Sequence, residues 1–259
     1  MWIKYLLWCG LLTLATLEFS GKVTSLKITQ CTYGDYLLYI FGGMREYIPT
    51  PGEPFQIPYL WLINHIGILY FTLHYMHDDL NGLGQQMILR SGSRSVWWIS
   101  KCIWNGVVVS LFYLIAWGTV LLSASLHGAF WSMEISSFIP ELLEVGPNQI
   151  WDTEWRVTLE ITLLPLLVTL SMSLLQMLLC LVIRPTFSYI LSVVVMIASA
   201  YYLSPALLGN YAMALRSDKV ITNGVPLETG IAYTLVLMTL SVFLGILVFQ
   251  KTNILNKDE

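Results

Sequence analysis

Six apolar runs follow one another along this sequence, at about residues 2–19, 55–76, 99–125, 157–183, 186–203 and 231–249. A helix needs about 20 apolar residues to cross the roughly 30 Å hydrocarbon core of a bilayer. Most of the runs reach or approach that length, so the sequence reads as a polytopic helical membrane protein. Composition agrees: only 11% of the 259 residues are charged, where soluble domains average roughly 25%. Mean hydropathy is +0.67. The expected fold is an all-α membrane protein, one transmembrane domain over 1–259 with six transmembrane helices and both termini cytoplasmic.

Orientation follows from the basic residues. Lys4, Arg90, Arg94, Lys101, Arg184, Lys251 and Lys257 fall inside; Lys22, Lys27, Arg45, Arg156, Arg216 and Lys219 fall outside. The inner loops are much shorter, so basic density beside the span ends is higher there, which is the quantity that sets topology. The first run reads as an uncleaved anchor, since no small-x-small cleavage site follows it. A short apolar piece at 36–41 is expected at the interface or packed against the outer ends of the helices, and an amphipathic one at 140–145 on the outer surface.

The one well-charged stretch between two apolar runs is 78–101, DDLNGLGQQMILRSGSRSVWWISK. Asp79 or Asn81 can cap a short helix over 83–89, and Ser91-Gly92-Ser93 breaks it before the third span. Trp97 and Trp98 stand where tryptophans settle, at the headgroup level. The stretch reads as a short cytoplasmic helix between spans two and three, offered to something in the cytosol.

Sequence signals for chemistry are few. Gly21-Lys22 is the sole Gly-Lys pair and lacks the spacing of a phosphate-binding loop. His74 and His77 share a helical face, but the His-Glu-x-x-His order of zinc proteases is missing. The four scattered cysteines, Cys9, Cys31, Cys102 and Cys180, read as reduced buried thiols. A net charge of -3 gives no footprint for nucleic acid. Polar residues inside spans are costly and therefore functional suspects; Asn64, His65 and Asn105 are candidates for a transport path, and Gln176 is a further intramembrane polar group. Each can equally serve as interhelical glue. Arg156 and Glu160, four apart, form a local helix pair.

The run Met87-Ile-Leu-Arg90-Ser-Gly-Ser-Arg94-Ser-Val-Trp97-Trp98-Ile-Ser-Lys101 resembles the arginine, serine-arginine, tryptophan, lysine pattern at the same loop of small bacterial type 2 ABC exporter permeases. The stretch 205–217 after span five, and Asp35 to Gly43, are similar to two further stretches of that group. The resemblance implies a permease subunit without enzymatic activity of its own, in a bacterial cytoplasmic membrane. It would pair with a second permease subunit, identical or related, and with cytosolic ABC ATPase subunits that carry the ATP and Mg; this chain would hold no cofactor. Leu83, Gln85, Gln86, Met87, Leu89, Arg90 and Arg94 would then form the ATPase-coupling interface. The cargo would be a peptide, antibiotic or other amphipathic compound. A non-transporting immunity or sensor partner is the alternative, and an intramembrane metalloprotease a more remote one.

Overall fold

A computed structural model describes residues 2–28, 30–52, 54–73, 75, 78–79, 82, 84, 86, 93–143 and 154–251. The helices whose bounds fall within the described residues are α1 (Trp2–Ser25), α2 (Tyr33–Phe41), α3 (Tyr59–Thr72), α4 (Arg94–Leu126), α5 (Ile139–Leu142), α6 (Glu154–Thr158), α7 (Leu164–Leu179), α8 (Pro185–Tyr201) and α9 (Leu227–Lys251). A π turn, Leu159–Leu163, joins α6 to α7 without a break, and 3₁₀ turns occupy Leu208–Ala212 and Ala214–Arg216. Among the described residues there is no strand, only two isolated bridges.

Among the described residues, four helices are long and apolar enough to cross a membrane: Lys4–Ser25, Arg94–Leu126, Trp155–Leu179 and Leu227–Lys251; Pro185–Tyr201 is apolar but shorter. Their outward faces carry Leu6, Leu7 and Leu14, Ile103 and Leu122, Phe187 and Val194, and Val236 and Phe243, all exposed. In water such a surface would drive association. In lipid it is the ordinary exterior of helices that are apolar all round. The molecule is a helical membrane protein.

Paired residues give the direction of five of the rods. Tyr5 meets Phe71 while Glu18 accepts from Tyr59, so α1 and α3 are antiparallel. Trp8 stacks on Phe112 and Thr16 bonds Ser123, so α1 and α4 run together. Asn105 meets Ser173 while Tyr113 meets Thr169, which makes α7 antiparallel to α4. Trp98 donates to the Val242 carbonyl and Arg94 to that of Gln250, which does the same for α9. Gly245 lets α9 approach this closely, because a Cβ there would overlap the Trp98 ring. The α6–α7 rod is central: 61% of its apolar window is buried, against 17% for α9.

One end of the bundle is rich in irregular chain, and the α7–α8 turn lies at the other. At the rich end, Thr32 and Asp35 form a reciprocal capping box on α2. Fully buried Asp35 also accepts from the Ser136 N–H and hydroxyl, tying α2 to the segment after α4. At the other end Arg184-Pro185 turns α7 into α8, with proline opening the helix where its missing N–H costs nothing.

Several boundaries differ from the sequence reading. α1 runs six residues past 19, through a polar turn in which Lys22 pairs with Glu18 one turn earlier at 2.9 Å. α4 begins at Arg94, not 99, with Ser93 as its N-cap. The 204–230 return is not plain loop but two buried 3₁₀ turns. The amphipathic piece expected at 140–145 is the four-residue α5; residues 144 and 145 lie outside the described residues.

Candidate functional site

Two polar regions interrupt the apolar bundle. The first lies between α3, α4 and α7, toward the end that holds the α7–α8 turn. Thr72, Asn105, Ser173 and Gln176 line a small cavity there, closed by Tyr75 and Trp104, whose rings stack in parallel. Ser173 Oγ donates to Asn105 Oδ1 at 2.8 Å and shares a 3.1 Å bond with Thr72 Oγ1. Gln176 Nε2 donates to the Leu69 carbonyl at 3.0 Å. Three helices are thereby joined by side-chain bonds where an all-apolar seam would offer only packing.

Beside this cavity, Lys101 Nζ lies 2.8 Å from Asp79 and 3.1 Å from the Tyr75 hydroxyl, over the ring of Trp97. The ammonium is buried, and an acid, a hydroxyl and an aromatic face together replace its water. Sequence reasoning counted Lys101 among the loop cations; it sits two turns inside α4 instead. Arg94 donates to the last carbonyls of α9, Phe249 at 3.4 Å and Gln250 at 2.8 Å, where a cation complements the helix dipole.

The second region is at the loop-rich end. Arg156 contacts Glu160 at 3.3 Å, Asp218 at 3.1 Å and Glu228 at 3.2 Å, linking α6, the chain after Arg216 and the start of α9. Glu160 lies inside the π turn and also accepts from Ser217 Oγ at 2.7 Å. Pro165 explains the turn: it has no N–H to donate to the carbonyl four residues back, and the helix widens just before it. Arg216 is wholly buried nearby. Burial pushes its guanidinium down to about 10, with Glu46 opposing the shift, so it is a cation at neutral pH. Burial and then Asp35 push the Cys31 thiol up to about 12, which disfavours the thiolate.

Of the residues expected to matter, Asn105 faces the cavity. Asn64 and His65 are buried in α3, where they bond the carbonyls of Leu60 and Trp61. Among the coupling residues, Gln86 is helical and exposed and Arg94 opens α4. Leu83, Gln85, Met87, Leu89 and Arg90, with His74 and His77, lie outside the described residues. Among the described residues no group of His, Cys, Asp or Glu could hold a metal. The grouping of Thr72 and Ser173 with Asn105 escaped sequence reasoning, since small hydroxyls in apolar helices carry no pattern of their own.

The profile described as "Protein of unknown function (DUF2705)" matches residues 22–255. The chain belongs to the DUF2705 family. No curated protein and no solved structure matches it. Both polar regions, together with the 78–101 stretch, lie inside the DUF2705 match.

Proposed function

We propose that this DUF2705 chain is the permease subunit of an ATP-driven ABC exporter in a bacterial cytoplasmic membrane. In this reading the six rods all cross the bilayer, both termini are cytoplasmic, and the loop-rich end faces outward. A separate ATPase subunit hydrolyses ATP with Mg, and a second permease subunit completes the path for a peptide, antibiotic or other amphipathic cargo.

The observation that carries the reading is the 2.8 Å contact between Asp79 and Lys101. It ties the start of the 78–93 connection to α4, a rod of 33 residues, roughly 50 Å long. Ser93 caps the same helix, and Arg94 holds the end of α9. A cytosolic partner that displaces the connection would therefore move two long helices at once, and a stiff rod carries that displacement to the outer end. Differential contacts of the partner in its two states would set the coupling.

Pull-down of the tagged protein from its native membrane in mild detergent tests this. An ABC ATPase should accompany the wild-type chain and be lost from Gln86→Glu with Arg90→Glu, while membrane insertion persists. Arg94 is left intact because it supports α9. Retention of the ATPase by the double variant, or its absence from the wild-type preparation, overturns the reading.

A further inference from the structure

The cavity between α3, α4 and α7 has a volume open to a water-sized sphere of ≈ 10 Å³, about what a single water needs. Two of its lining side chains, Asn105 and Gln176, are each only 2% exposed. Asn105 uses Oδ1 to accept from Ser173, and Gln176 uses Nε2 to donate to Leu69. That leaves one donor, Asn105 Nδ2, and one acceptor, Gln176 Oε1, without a hydrogen-bond partner among the described residues.

Buried amide groups are rarely left unsatisfied, because desolvation is uncompensated when no bond replaces the lost water. Here a leftover donor and a leftover acceptor belong to the lining of one void. Among the described residues, no carboxylate or ammonium lines that void, so a neutral guest matches it better than an ion. The guest must also be small, able to accept from one amide and donate to the other.

We infer that the cavity binds one water molecule, which accepts from Asn105 Nδ2 and donates to Gln176 Oε1. The hydroxyls of Thr72 and Ser173 in the same wall offer it further partners, within the two to four that a buried water uses. The water makes the junction of the three helices an exchangeable joint. A small shift of α4 then trades one hydrogen bond for another without stranding a buried group. The site does not depend on the transport reading.

An experimental map of the full chain in nanodiscs, at a resolution that shows ordered water, tests the site directly. One isolated peak within hydrogen-bond reach of both amides is the expected result. Direct pairing of the two amides, or a third side chain between them, overturns the proposal. Thermal unfolding gives an independent reading. Asn105→Leu and Gln176→Leu each strand a buried group, and each should lower Tm by about 2–4 °C. The double variant removes both groups and fills the void with methyls, so it should lose less than the sum. Additive losses would count against a shared water.

Discussion

Arg216 is a cation whose hydrogen bonds all go to neutral oxygens. Its guanidinium donates to the carbonyls of Met44, Arg45, Ser199, Ala200 and Tyr202 and to Asn210 Oδ1. Three of those carbonyls lie at the C-terminal end of α8, and two belong to the chain before α3. The planar fork of arginine reaches several acceptors in one plane, which a lysine ammonium cannot do. Arg216→Met should strand several buried carbonyls and cost about 3 kcal/mol or more. Arg216→Lys should recover only part of that loss. Thermal melts of the purified protein measure both, and a lysine variant as stable as wild type would show that charge alone suffices. The sequence shows Arg216 as one more outer-loop cation; nothing in its neighbourhood announces complete burial, because its acceptors come from residues 44, 45 and 199–210.

Among the elements, the α6–π–α7 rod is where local chemistry and tertiary contact meet. In sequence, Arg156 and Glu160 look like a surface pair on one helical face, and such pairs contribute little. In the fold, Glu160 is 2% exposed and the π turn carries it to Ser217. Loss of one partner from a buried pair leaves an uncompensated charge, costing about 3–5 kcal/mol. Arg156→Gln should therefore destabilise strongly, while Arg156→Gln with Glu160→Gln should cost clearly less than the two single changes summed. A denaturation cycle on the four proteins checks this, and additive losses would mean the two side chains act separately. Pro165 was legible beforehand as a helix disturbance. That the disturbance takes the form of a π turn, with Glu160 turned toward a segment nearly sixty residues away, was not.

The whole molecule orders its rods with alternating direction, so the connections gather at two ends. If all six rods cross the bilayer, those ends face opposite compartments. Cysteine at Gln86, in a background lacking the native thiols, should react with a membrane-impermeant reagent only in inverted vesicles. Cysteine at Asn223, exposed in the loop-rich end, should react only in intact cells. Labelling of both from one side would overturn the crossing pattern. What the sequence by itself determined was the solvent: runs of about twenty apolar residues leave lipid as the medium and helix as the backbone answer. It also placed the Arg184-Pro185 hairpin and the polar connection before α4. Which helix faces turn inward was decided only by the tertiary structure. In water, the contrast between polar and apolar sides marks the buried stripe of a helix. Here lipid is as apolar as the core, that contrast vanishes, and small polar side chains become meaningful only once folding sets them against one another. Thr72, Asn105, Ser173 and Gln176 are scattered over a hundred residues of chain, and packing alone makes them neighbours.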